Sequence, residues 1–327
     1  MLTYLIILLD ETATSYCHYS VPQRSRKLIS YDNLKSGILF AMKENLSVQF
    51  VYPDYELPRE YEELIETVEH VKIKPSSSQK VSESDIVVFE SIERCASFPL
   101  EVNKPYVLRL TKDSLFHKEK DICEVLSKVA RLNIVITDID SFSEKEFIEY
   151  KSFLSRLGKN LEKLYLDEKL PQVNLLTDRL HLDKMNNCDA GDASIALAPD
   201  GRFYICPAFY YEKAETVYMG LGGPADSPFS VGDLRNGICI KNKQLYQLDH
   251  APICRICDAF QCKRCIWFNW KTTCDVNTPS HEQCVVSHLE RNASRILLSN
   301  VRRYGDFLPG KKIKKIDYLD PFELINN

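Results

Sequence analysis

The sequence predicts an α/β fold in three parts: a partial or degenerate (β/α) barrel-like domain over residues 1–180, a small cysteine-rich domain over 181–290, and a C-terminal helix and basic tail over 291–327. Three observations predict it. Short apolar runs alternate with amphipathic ones through the first half, the pattern of parallel strands linked by helices. Those runs number five or six, short of the eight strands of a closed barrel. The cysteines are crowded: residues 1–187 hold three of the twelve, and residues 188–284 hold nine.

The first strand is expected over residues 2–9, an apolar run closed by Asp10 and Glu11. A bilayer span needs roughly 20 apolar residues, so this run is too short. It has no basic segment before it and no small-residue cleavage site after it, which favours a buried parallel strand over a signal peptide. No other stretch has the apolar length of a membrane helix, and the cytoplasm is the expected location. Further strands are expected at 47–52, 85–90, 106–110 and 133–137, each short and rich in Val, Ile or aromatics.

Helices are expected between several of these strands. Asp32 or Asn33 is placed to cap one running to about Asn45. Pro58 suits a first helical position ahead of residues 60–68. Ile122, Val125, Leu126, Val129 and Ala130 lie on one helical face. Ser143 and Glu146 form a capping box.

This half carries no glycine-rich phosphate loop, nucleophile elbow or His-Glu-x-x-His helix. The loop after the first strand holds Cys17 and His18, where α/β proteins place their sites. A buried cysteine beside a surface histidine is the plainer reading. Cys95 and Cys123 have no partners at ligand spacing, and Cys123 reads as core. A net charge of −4 offers no overall positive field for nucleic acid.

In the second half, residues 194–198 and 202–206 read as a hairpin about Pro199-Asp200-Gly201, whose glycine can take positive φ. Cys188 precedes this hairpin and Cys206 ends it, so two thiolates could meet. A loop rich in Gly and Pro follows at 220–228, then Val231-Gly232-Asp233-Leu234. The dense run is Cys254-x2-Cys257-x4-Cys262-x2-Cys265. In a reducing compartment such cysteines point to metal rather than disulfides. Single-zinc sites usually separate two such pairs by a dozen or more residues. The tight spacing here is that of iron–sulfur proteins, in which the last cysteine of a run often serves a different cluster.

By that logic Cys254, Cys257 and Cys262 bind one cluster with Cys274 or Cys284, and Cys265 joins Cys188 and Cys206 at a second. Zinc, or one cluster plus one zinc, is the alternative; reduced buried thiols are the plainest. Cys239 has no close partner. His250, His281 and His288 read as surface or satisfied histidines, with His281 the alternative to a missing thiolate. Beyond Cys284 a helix is expected, with Val285, Val286, Leu289, Ala293, Ile296 and Leu297 as its apolar stripe. Lys311-Lys312-Ile313-Lys314-Lys315 reads as a solvated basic run, or as a dock for an acidic partner or leader peptide.

Cys188-x12-Gly201-x4-Cys206, the dense run and a late cysteine together resemble the SPASM domain of radical SAM peptide-modifying enzymes. Pro199-Asp200-Gly201, Cys206-Pro207 and Val231-Gly232-Asp233-Leu234 add to the likeness. The dense run departs from it, with spacings of two, four and two where the family commonly has two, five and three. The resemblance implies one or two auxiliary [4Fe–4S] clusters. Radical SAM barrels carry Cys-x3-Cys-x2-Cys after the first strand, holding the cluster that cleaves S-adenosylmethionine (AdoMet). The matching positions here are Asp10, Thr14 and Cys17, so two of three thiolates are missing and independent AdoMet cleavage is not expected.

The chain as a whole is similar to the CXXX repeat peptide maturase family, through Leu8-Leu9-Asp10, Ser15-Tyr16-Cys17-His18-Tyr19 and Gln49-Phe50-Val51-Tyr52-Pro53. That resemblance implies a role in maturing a ribosomally made cysteine-repeat peptide beside a separate radical SAM/SPASM enzyme, with no nucleic-acid or membrane partner. A peptide-modifying enzyme with an open cluster site, formed by Cys188, Cys206 and Cys265, is a second expectation. A zinc-stabilised peptide-binding scaffold is a third.

Overall fold

The computed structural model describes residues 2–13, 25–78, 81–212 and 229–311. Thr14, Cys17, His18, the 220–228 loop and Lys312 to Lys315 lie outside the described residues. In chain order the strands are β1 (Tyr4–Leu8), β2 (Ser47–Val51), β3 (His70–Pro75), β4 (Ile86–Phe89), β5 (Pro105–Leu110), β6 (Arg131–Ile136), β7 (Gln172–Val173), β8 (Ser194–Leu197), β9 (Arg202–Tyr204), β10 (Ser230–Asp233) and β11 (Gly237–Ile238). Two compact units form, each from two segments: Met1–Val88 with Asp189–His250, and Phe89–Cys188 with Ala251–Asn327. The cysteine-rich stretch contributes to both.

In the first unit the strand order is β11-β10-β9-β8-β1-β2-β3-β4. β8, β1, β2, β3 and β4 run parallel, while β9 to β11 pair antiparallel beyond β8. Leu5 of β1 lies opposite both Val48 and Ile195. Leu5, Ile7 and Leu9 pack with Leu34, Ile38 and Ala41 of the Tyr31–Lys43 helix. That helix begins at Ser30, whose side chain accepts from the Asn33 amide at 3.2 Å, rather than at Asp32 or Asn33. Gly37 lets it approach β8 closely, because a Cβ there would lie 2.4 Å from Leu197 Cδ2. Gly201 takes φ +79 in the β8–β9 turn, as its position after Pro199-Asp200 predicts.

β3 was not expected from the sequence. Its two lysines mask the apolar signal, yet Lys74 is buried, with Nζ 4.5 Å from the centre of the Tyr52 ring.

In the second unit β5, β6 and β7 are parallel. The capping box is present, with the Ser143 amide donating to Glu146 Oε2 at 2.7 Å, and it starts the Glu144–Leu166 helix. The helix expected about Ile122 spans Glu119–Leu126 and buries Ile122, Val125 and Leu126. The last long helix, His281–Val301, begins before Cys284 rather than after it. Among the described residues no helix is long and apolar enough to cross a membrane.

Candidate metal centre

The dense cysteine run lies in the second unit and is almost entirely turns. A short 3₁₀ turn covers Cys254–Ile256, and the Cys257 amide donates to the Cys254 carbonyl at 3.2 Å. The Cys262 amide donates to Ala259 O at 2.9 Å, Arg264 takes φ +43, and Cys265 caps the Ile266–Thr273 helix. Such tight turns are what bring closely spaced thiols to one side. The segment leading to Cys188 runs alongside, with the Asn186 amide on Phe260 O at 2.8 Å and the Cys188 amide on Lys263 O at 2.9 Å. The Cys188 thiol is 3.9 Å from Arg264 O.

Three thiols of the run share one electrostatic field. Burial pushes Cys254 up to about 12, reinforced by Cys262 and Cys257. Burial pushes Cys257 up to about 11, against a hydrogen bond from the Ala259 amide. Burial raises Cys262 as well. Ser287 and the Arg264 backbone oppose that rise, while Glu290 and Cys188 add to it. Burial alone therefore keeps these thiols protonated, and a bound cation would be needed to hold them as thiolates.

One face of the His281–Val301 helix closes over the run. The Ala259 amide lies 3.4 Å from Cys257 Sγ on one side, and His288 Nε2 lies 3.5 Å from it on the other. Gln261 Nε2 donates to Ser287 O at 2.7 Å and to Glu290 Oε2 at 3.3 Å. Glu290 Oε1 accepts from the Tyr150 hydroxyl at 2.7 Å. Asp258 binds Arg179 Nη2 at 2.7 Å and Arg291 Nη1 at 3.1 Å. Arg264 donates to Asn187 at 2.9 Å and to Asn277 at 2.8 Å. All of Ser287, His288, Glu290, Arg291, Asp258, Gln261 and Arg264 are buried. Buried polar groups of this number specify one loop conformation, because each needs its particular partner.

Sequence reasoning missed this supporting shell. His288 is the histidine that meets a thiol, whereas His281 packs its ring against Phe147 at 6.2 Å between centroids, and His250 is exposed. Of the apolar stripe, Val285, Val286 and Leu297 are buried. Val285, Leu289, Ala293, Ile296 and Leu297 line, with His288, a groove of about 430 Å³ against Leu154 and Gly158 of the Glu144–Leu166 helix.

The other cysteines are dispersed. Cys265 and Cys284 are half-buried, the latter in the first turn of the His281–Val301 helix. Cys274 is exposed at a left-handed helix end. Cys206, in the first unit, is buried at the start of the Pro207–Tyr210 helix; burial raises Tyr246, and Cys206 adds to that rise. Cys239 is exposed. Burial raises Cys95 to about 12 and Cys123 to about 11. None of the described cysteines is in a disulfide. Among the described residues no three His, Cys, Asp or Glu side chains converge as a set that could hold a single metal ion. The thiols fit an iron–sulfur cluster in donor type, burial and shared field: soft ligands, closely spaced, with sulfur-directed hydrogen bonds.

The loop after β1 offers different chemistry. Asp10 is fully buried; its Oδ1 accepts from the Thr12 amide at 2.8 Å and the Thr12 hydroxyl at 2.6 Å, and its Oδ2 accepts from the Tyr55 hydroxyl at 2.7 Å. Glu11 accepts from Ser25 and from Tyr210, the latter at 2.8 Å. Both carboxylates are thus bound into the protein's own hydrogen bonds.

No family model matches the chain, and no curated protein matches it. Solved structures do. The chain is similar to native anSMEcpe with bound AdoMet, at 12% identity and a TM-score of 0.55, over 91% of this chain and 99% of that one. It is similar to native anSMEcpe with bound AdoMet and Cp18Cys peptide at 12% identity and a TM-score of 0.55, over 93% and 100%. The form with bound AdoMet and Kp18Cys peptide gives 12% and 0.54, over 92% and 99%. anSMEcpe is an anaerobic sulfatase-maturating enzyme of the radical SAM/SPASM class. The likeness establishes the fold of this chain as a radical SAM-type α/β fold.

Proposed function

We propose that the protein is an iron–sulfur-binding maturation factor for a ribosomally synthesised cysteine-repeat peptide, working beside a separate radical SAM/SPASM enzyme that supplies the radical. The observation that carries this reading is a contrast between the two units. Thiols sharing one electrostatic field persist at Cys254, Cys257 and Cys262, while the first thiolate position after β1 is Asp10, engaged by Thr12 and Tyr55. Cys188, Cys254, Cys257, Cys262 and Cys265, with Cys274 or Cys284, are the second unit's candidate ligands, and Cys206 is the first unit's. The residue 181–290 stretch is read as the SPASM-like module. A bound cluster would supply one-electron chemistry or a site for a substrate thiolate. The likeness to a maturating enzyme with bound peptide supports a peptide as partner.

The test is metal and activity analysis of the full chain purified without oxygen. Iron and sulfide are expected, with no AdoMet cleavage by the chain alone and peptide modification only when a radical SAM partner is added. Unaided AdoMet cleavage would overturn the division of labour. Zinc without iron or sulfide would instead make the protein a zinc-stabilised peptide scaffold.

A further inference from the structure

We infer that His288 sets the reduction potential of the cluster held by Cys254, Cys257 and Cys262, by hydrogen-bonding the sulfur of Cys257. The inference rests on the iron–sulfur reading above. His288 Nε2 lies 3.5 Å from Cys257 Sγ. The loop that carries Cys257 is fastened to the same helix, Gln261 to Ser287 O and Glu290, and Asp258 to Arg291, so the sulfur is held against its donor.

The consequence follows from charge. One-electron reduction adds negative charge that spreads onto the thiolate sulfurs. A hydrogen bond into a sulfur stabilises the more negative state and raises the potential. With its proton on Nε2, His288 supplies such a bond to Cys257. His288 is buried but also lines the groove beside Leu289, so a replacement must fill the ring's space to keep water from taking the donor's place. His288 touches a ligand rather than substrate, and is a positioning residue.

The test is a reductive titration with dithionite, followed by electron paramagnetic resonance, on the anaerobically purified full chain and on His288→Phe, His288→Leu and His288→Gln. The phenylalanine and leucine variants are expected to shift one cluster's potential to more negative values, with the glutamine variant, which keeps a donor, closer to wild type. Any second cluster should keep its potential. An unchanged potential in His288→Phe, at wild-type iron and sulfide content, would overturn the inference and leave the iron–sulfur reading standing. If His288→Phe fails to assemble, His288→Leu decides, since it is smaller than phenylalanine and carries no donor. Absence of iron and sulfide from the wild type would overturn the underlying reading first, and this inference with it.

Discussion

Arg291 and Asp258 meet inside the protein, Nη1 to Oδ1 at 3.1 Å, while Arg179 holds the other carboxylate oxygen at 2.7 Å. One carboxylate thus bridges two buried guanidiniums. Asp258→Ala, which takes the carboxylate from both, is expected to cost about 3–5 kcal/mol. Arg291→Met should cost less, because Arg179 still balances the carboxylate. Urea unfolding under anaerobic conditions measures both, and equal costs would show that the arginines do not share Asp258.

Glu290 gives the protein a pH dependence. Burial raises its carboxyl from the ordinary 4.5 to about 7, against hydrogen bonds from Tyr150 and Gln261. Between those values the unfolded chain releases a proton that the folded chain keeps. Stability is therefore lost as pH rises through that window, by an order-of-magnitude total of about 3 kcal/mol, and the loss is complete above the folded value. Glu290→Gln should flatten this slope. Denaturation midpoints from pH 5 to 8 check the sign, and an equally steep slope in the variant would assign the effect to another group.

Tyr55→Phe removes one donor from a buried carboxylate at Asp10 and is expected to destabilise the first unit by about 1.5–3 kcal/mol. Asp10→Cys should destabilise it more, because the Thr12 and Tyr55 donors both lose their acceptor. Thermal unfolding ranks the two. An Asp10→Cys protein as stable as wild type would mean that Asp10 is not a structural lock.

Gly201→Ala places a Cβ 2.8 Å from Asn33 Nδ2 and forces an L side chain to φ +79. The backbone term alone is about 1–2 kcal/mol. Adding Asn33→Ala should relieve the clash but not the backbone term. A double-mutant cycle read by denaturant midpoint separates the two, and strict additivity would place the whole cost in the backbone.

Iron bound per chain should fall sharply in Cys257→Ser and stay at the wild-type level in Cys239→Ser, since Cys257 lies in the shared thiol field and Cys239 is exposed. Equal losses in both variants would point to a general folding defect rather than to ligation.

The parallel strands and the cysteine run were readable because their signals are local. β1 is a continuous apolar string, and the Cys-x2-Cys turns are set by neighbours in sequence. The misses share a cause. β3 hides its strand pattern behind Lys72 and Lys74, and the burial of Lys74 depends on the ring of Tyr52 from the neighbouring segment. Ser287, Glu290 and Arg291 carried no sequence signal and His288 read as surface or satisfied, since partners from the folded loop between Cys254 and Cys265 appear only in the fold. The capping box at Ser143 was legible from four residues, whereas the true cap at Ser30 competed with Asp32 and Asn33 in the same short window.

The pairing of β1 with β8 bears on how the chain is born. The side chain of Thr3 bonds Ala193 across 190 residues, and Tyr4 to Ile7 pair with Ser194 to Leu197. At roughly 5–20 residues per second, the ribosome takes on the order of 10–40 s to deliver that partner. Throughout this interval one edge of this apolar strand has no native neighbour, a template for pairing with other chains. Slower translation would lengthen that exposure. A nascent-chain chaperone that covers residues 4–8 should therefore raise the yield of folded protein more than one that acts after release.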